Sequence, residues 1–152
     1  MVQIVQYKPE HQPAFKRLNE EWITRWFKME EADYRSLDRP QEYIIDRGGR
    51  ILIALDEGGV IGTCALLKMD ESTYELAKMT VSANARGKGI GLLLGQAAID
   101  EAKGLSARRL YLESNTRLEP AISLYRKLGF KEVQGARSPY ERCNIQMELV
   151  LE

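Results

Sequence analysis

The stretch Leu76-Ala77-Lys78-Met79-Thr80-Val81, continuing through Ser82-Ala83-Asn84-Ala85-Arg86-Gly87-Lys88-Gly89-Ile90-Gly91-Leu92, decides how this chain is read. Its first six residues form an apolar, strand-like run that ends in a short polar turn. Gly87, Gly89 and Gly91 follow, three glycines within five residues. Such a turn lets backbone N–H groups crowd around an anion without interference from Cβ atoms. A helix-like pattern opens at Gly89-Ile90, and a helix start adds unpaired N–H groups and a positive dipole end. Arg86 and Lys88 contribute full charges. The stretch predicts a phosphate cradle between a strand and a helix.

Spacing sets two common cradles aside. A dinucleotide-binding turn needs Gly-x-Gly-x-x-Gly, but after Gly87 and Gly89 the third position holds Leu92. A nucleotide-triphosphate loop needs Gly-x-x-x-x-Gly-Lys-Ser/Thr, and no such string occurs in the chain.

Outward from this stretch, apolar periodicity marks the other elements. Gln3–Lys8 alternates as a first strand ended by Pro9. From Gln12 to Lys28, Phe15, Leu18, Trp22 and Trp26 keep helical spacing, and 30–47 is helical in flavour with a break near Arg39-Pro40. Arg50–Leu55 and Val60–Lys68 are β-rich runs around the hairpin signal Asp56-Glu57-Gly58-Gly59. Tyr74–Val81 is the next strand, and positions 90, 93, 94, 97 and 98 draw one stripe along a helix stopped by Gly104. A strand at Arg109–Leu112, a helix at Pro120–Leu128, a strand at Phe130–Val133 and a last strand at Asn144–Leu151 complete the order βαα-βββ-α-β-α-ββ. This is a mixed α+β sheet with helices on both faces.

At 152 residues the chain is expected to be one domain, 1–152, with a real hydrophobic core. Lys plus Arg equals Asp plus Glu, so no global field favours nucleic acid or an anionic membrane. The longest apolar runs fall far short of a membrane span, and Met1-Val2-Gln3-Ile4 lacks signal-peptide architecture, so a cytoplasmic protein is expected. Cys64 and Cys143 lie far apart and read as reduced thiols, and with His11 the single histidine no metal site is expected. His11, between Pro9 and Pro13, is expected at the surface, which argues against Ser-His or Cys-His nucleophilic catalysis.

Arg86-x-x-Gly89-x-Gly91 resembles the acetyl-CoA pyrophosphate loop of the GNAT N-acetyltransferase superfamily. A second segment, Asn115 followed by Ala121-Ile122-Ser123-Leu124-Tyr125-Arg126-Lys127-Leu128-Gly129-Phe130, is similar to that family's later cofactor segment, in which a helix closes with Leu-Tyr-x-x-x-Gly-Phe. Both segments stand in the family's order, and the resemblance covers the whole chain. It implies a mostly antiparallel seven-stranded sheet whose fourth and fifth strands splay apart, with acetyl-CoA as cosubstrate in the gap. On this resemblance Arg86, Gly87, Lys88, Gly89, Ile90, Gly91 and Leu92 would hold the pyrophosphate. Met79, Thr80 and Val81 would pair with the pantetheine amides like an added strand. An N–H near Val81 would hold the thioester oxygen, and Asn115 would contact the pantetheine or order the splay.

Two side chains are candidates for catalysis. By periodicity Tyr125 shares a stripe with Leu118, Ala121 and Ile122 and reads as a core aromatic. The resemblance gives it another role, protonating the departing CoA thiolate, which suits a phenol that stays protonated at neutral pH. Glu75 leads the face 75, 77, 79, 81 of its strand and is either at the strand's wet end or lining a cleft. Counted back from Arg86 it falls where several GNAT enzymes carry a general base, and an alkylammonium must lose a proton before it attacks a thioester. Lys78 is expected on the opposite face.

Trp22, Arg25, Trp26, Phe27, Tyr34, Arg35 and Arg39 cluster where relatives cover the acceptor cleft, with 138–142 as an opposite wall. Trp22 and Trp26 at i, i+4 read as core packing more readily than as a substrate clamp. The expected activity is transfer of an acetyl group from acetyl-CoA to a small primary amine in a ternary complex. Protein Nα-acetylation and a non-catalytic acyl-CoA-binding module are the alternatives. A homodimer is expected from family habit alone.

Overall fold

The described residues form seven strands and four α-helices: β1 (Gln3–Gln6), α1 (Gln12–Trp26), α2 (Glu31–Asp38), β2 (Arg50–Asp56), β3 (Gly59–Lys68), β4 (Thr73–Val81), α3 (Ile90–Gly104), β5 (Arg109–Ser114), α4 (Glu119–Leu128), β6 (Lys131–Val133) and β7 (Ile145–Val150). This is a computed structural model that describes residues 1–134 and 138–151. The strands form one sheet in the order β1-β2-β3-β4-β5-β7-β6. All neighbours are antiparallel except β4 and β5. The expected α+β architecture and element order are present. The break expected near Arg39-Pro40 separates α2 from a short π-helical turn at Gln41–Ile45.

Each face of the sheet carries its own apolar cluster. On one side Phe15 and Ile23 of α1 and Leu37 of α2 pack on Ile51, Ile53 and Ala65. On the other, Leu94, Ala98 and Ala102 of α3 pack on Leu52, Cys64, Leu66 and Leu76. Tyr125 and Phe130 close the second cluster, their rings edge to face with centroids 6.0 Å apart. Gly129, at φ 105°, ends α4 and turns the chain so that Phe130 meets Tyr125 one turn back. The Leu-Tyr-x-x-x-Gly-Phe run is therefore a helix ending folded back on its own aromatic ring.

Two expectations, the apolar stripe of α3 and the exposure of His11, are corrected. Along α3 the buried stripe is 90, 94, 95, 98, 99 and 102, while Leu93 is 46% exposed. Gly95 sets this rotation: a Cβ there would stand 2.4 Å from Leu128, so the helix presents its bare backbone to α4. His11 is buried, not at the surface. Its Nδ1 accepts the Lys8 N–H at 2.9 Å and its ring meets Tyr7 edge-on, which makes it a local cap at the head of α1.

Candidate active site

β4 and β5 stay paired for only three residues, Thr73 to Arg109, Tyr74 to Leu110 and Glu75 to Tyr111. Beyond Glu75 they diverge, and residues 76–81 have no ladder partner on the β5 side. The splay opens a cleft of about 1220 Å³ whose lining includes Glu75, Met79, Thr80, Arg86, Asn115 and Tyr125.

A bulge shapes the β4 wall. Thr63 pairs with Thr80 and Ala65 with Ala77, so Lys78 and Met79 together oppose Cys64. Lys78 takes up the extra residue at φ 52°, and its carbonyl accepts the Thr63 hydroxyl at 2.7 Å. The bulge reverses side-chain parity. Met79 and Val81 pack on the α3 side, whereas Lys78 reaches Asp33 of α2, on the side where Glu75 stands opposite Leu67. The expected single face 75, 77, 79, 81 is thus broken after Ala77, and Lys78 joins Glu75 instead of opposing it.

Asp33 anchors this corner. It is fully buried and accepts Lys78 Nζ at 2.8 Å, both terminal nitrogens of Arg142 at 2.7 Å and the Glu30 N–H at 3.0 Å. Burial alone would raise its pKa; the Arg142 hydrogen bonds and Lys78 charge outweigh that and hold it at about 2. Burial lowers the pKa of Lys78, against the pull of Asp33. Glu75 has no such partner. Among the described residues no side chain hydrogen-bonds or ion-pairs with its carboxylate. Burial, reinforced by the Glu113 carboxylate and opposed by Lys78, pushes its pKa up to about 7. A carboxyl group poised there can take or give a proton at neutral pH.

Tyr125 enters from α4. Its ring is core and its hydroxyl has no hydrogen-bond partner among the described residues, although the residue lines the cleft. Burial, with nearby Cys64 adding, pushes its phenol pKa upward. The group stays protonated across the neutral range and can donate a hydrogen bond or a proton into the cleft. Cys64 is 1% exposed and burial raises its thiol pKa, so it is an inert core residue.

The glycine turn follows β4, and of its residues Arg86 lines the cleft. Gly87 and Gly89 hold φ 79° and 77°, and a Cβ on either would meet nothing within 4 Å. Backbone conformation therefore calls for glycine here, and the space above the turn is open. Gly89 is the residue before the first turn of α3, so the N–H groups of Ile90, Gly91 and Leu92 head the helix. Arg86 Nε donates to the Val81 carbonyl at 3.2 Å, tying the turn to the end of β4. Lys88 is exposed; the Ile90 side chain is core, and Leu92 is 41% exposed.

Asn115 follows the last residue of β5 and is nearly buried. Its Nδ2 donates to the Arg142 carbonyl at 2.7 Å and its Oδ1 accepts the Arg117 N–H at 2.8 Å. It pins the β5–α4 turn to the segment before β7. Strand β5 runs two residues beyond its expected end and so delivers Glu113, which no pattern in the sequence had singled out. Glu113 accepts the Tyr111 hydroxyl at 2.8 Å and the Ser138 hydroxyl at 2.7 Å. The signal available was the alternation Arg109, Tyr111, Glu113 on one strand face.

Of the expected acceptor wall, Trp22, Arg25, Trp26 and Phe27 line the cleft. Tyr34, Arg35 and Arg39 do not; Arg35 pairs with Glu31 and Arg39 with Glu42. Trp22 lines the cleft and also packs against the core cluster under α1, whereas Trp26 lines the cleft and is 40% exposed. Pro139, Tyr140 and Arg142 supply the facing wall. Among the described residues no three His, Cys, Asp or Glu side chains gather into a metal-binding group, and no helix is long and apolar enough to cross a membrane.

Residues 14–130 match the model of the acetyltransferase (GNAT) family. The chain is 35% identical over 96 residues to the uncharacterized N-acetyltransferase YjgM of Escherichia coli, covering 60% of this chain and 58% of that one. It is 31% identical over 115 residues to N-acetylaspartate synthetase of Danio rerio, covering 69% of this chain and 41% of that one. The chain thus spans about half the length of these relatives. Among solved structures, yncA of Salmonella typhimurium with its cofactor acetyl-CoA has the same fold, with a TM-score of 0.81 at 19% identity over 99% of this chain and 94% of that one. The chain belongs to the GNAT family.

Proposed function

We propose that this GNAT-family chain is a one-domain N-acetyltransferase, 1–152, that moves an acetyl group from acetyl-CoA to a primary amine of a small molecule. The observation that carries this reading is a convergence. Arg86, which opens the glycine turn at the head of α3, the unpaired β4 edge at Met79 and Thr80, and Tyr125 all line one cleft. Acetyl-CoA, the cofactor named with yncA, fits these residues chemically. A pyrophosphate needs convergent N–H groups and open space, which the turn Arg86–Leu92 offers. An amide-bearing arm needs an unpaired strand edge, which Met79, Thr80 and Val81 offer on the β5 side. Asn115 orders the splay that keeps that edge free.

Acetyl-CoA supplies an acetyl group on an activated thioester carbonyl; the chain supplies position and protons. Glu75 accepts a proton from the ammonium of the acceptor, directly or through water, and frees the nitrogen lone pair. The N–C bond forms and leaves the nitrogen cationic; as the C–S bond breaks, that nitrogen gives its second proton to water and Tyr125 donates its hydroxyl proton to the departing sulfur. Exchange with solvent returns a proton to Tyr125 and removes one from Glu75. A backbone N–H near Val81 faces the thioester oxygen as charge develops there. Cys64, buried with a raised pKa, takes no part as a nucleophile.

The free state of both cysteines supports a cytoplasmic location. A homodimer is the companion proposal, tested by light scattering on the purified chain. The activity itself is tested by thiol release from acetyl-CoA across a panel of primary amines. Turnover that needs both an amine and Tyr125 supports the reading; acetyl-CoA binding with no turnover on any amine overturns it in favour of a sensing module.

A further inference from the structure

Among the described residues the cleft is lined by six cationic side chains, Arg25, Lys78, Arg86, Arg109, Arg117 and Arg142. Four are already engaged. Lys78 and Arg142 converge on Asp33, Arg109 pairs with Glu148 at 3.1 Å, and Arg86 is turned to the Val81 carbonyl. Among the described residues the guanidinium groups of Arg25 and Arg117 have neither an ion pair nor a hydrogen-bond acceptor. They come from different elements, Arg25 from the last turn of α1 and Arg117 from the β5–α4 turn.

Aromatic rings hold both in place. Arg25 lies 5.6 Å from the Trp26 ring centroid; Arg117 lies 6.0 Å from the same ring and 5.6 Å from that of Phe27. Stacking of this kind orients a guanidinium while leaving its in-plane N–H fork free for a ligand. Two like charges gathered against one indole repel each other, and an anion between them relieves that repulsion. A planar carboxylate matches the fork geometry. Among the described residues the same cleft carries four carboxylates, Glu75 on β4, Glu113 on β5, Glu119 at the start of α4 and Glu148 on β7, the last paired with Arg109. It therefore presents sites of both signs to one ligand.

From this we infer that the acceptor is an amino acid or close analogue, its amine directed to Glu75 and its carboxylate gripped by Arg25 and Arg117. The inference rests on the acetyltransferase reading for the amine end, while the carboxylate grip stands on the arginines themselves. It separates a free amino acid from a peptide N-terminus, which has no carboxylate at that distance from its amine.

The test compares L-amino acids with their C-terminal amides as acceptors, for the full chain and for Arg25→Gln and Arg117→Gln, whose exposed side chains make loss of folding a minor concern. The expected result is a preference for the free acid of about tenfold or more. Each variant should raise KM for the acid by about tenfold, leaving KM for acetyl-CoA and turnover of the amide unchanged. Amides used as well as acids, or variants that raise KM for acetyl-CoA instead, overturn the inference. If no amine is turned over, calorimetric titration of the amino acids into the protein with CoA decides. Binding lost in the variants upholds the carboxylate grip although the transferase reading has failed; no binding of any amino acid overturns the grip as well.

Discussion

Lys78 stands on the same side of β4 as Glu75, although three residues apart on a regular strand they would point in opposite directions. The bulge opposite Cys64 brings them together. It places a positive charge on the side of a half-buried carboxylate, opposing the upward push of burial and Glu113 on its pKa.

If Glu75 is the base, kcat/KM for the amine rises with pH through about 7, because the group must be ionised to accept a proton. Removing the charge of Glu113, as in Glu113→Gln, moves this acid limb to lower pH. Lys78→Met moves it to higher pH. Glu75→Gln flattens the limb and lowers kcat about 100-fold. Limbs that stay in place in both neighbours would assign the titration to another group.

Tyr125→Phe keeps the ring that packs on Phe130 and removes only the hydroxyl. Turnover should fall by about 100-fold or more while affinity for acetyl-CoA changes less than about twofold, since a general acid acts on the chemical step and not on binding. Stopped-assay kinetics with calorimetry on the same preparations separate the two quantities.

Asp33 links stability to acid. Its pKa of about 2 in the folded chain lies below the ordinary 3.8, so its contribution is complete above about pH 4. That contribution, ~2 kcal/mol, disappears as pH falls from about 4 to 2. Urea unfolding across that range should show the loss. Asp33→Asn should remove this pH dependence and lower stability near neutral pH, because Lys78 and Arg142 are left without their counter-charge.

The glycine turn, the helix it heads and the Tyr125 segment were legible because their physics is local. Positive φ at Gly87 and Gly89 and the left-handed end at Gly129 are properties of single residues. The bulge was not legible. Ala77-Lys78-Met79 carries no glycine or proline to mark it, and φ 52° at Lys78 accompanies an ion pair to Asp33, 45 positions earlier. Glu113 escaped because the apolar run ends at Leu112, while the strand continues by pairing with Gln146 of β7. The acceptor wall was half legible: Trp22, Arg25 and the facing segment 138–142 were expected there, whereas the approach of Arg117 to Trp26 and Phe27 exists only in the folded chain.

The most direct measurement is calorimetric titration of the chain with acetyl-CoA beside a Gly89→Glu variant checked for folding by circular dichroism. The variant forces a carboxylate and a strained positive φ into the head of α3. Micromolar binding by the natural chain, lost in a folded variant, is the predicted result. A folded natural chain that does not bind acetyl-CoA, or a variant that binds equally well, would contradict the cradle on which the proposed function rests.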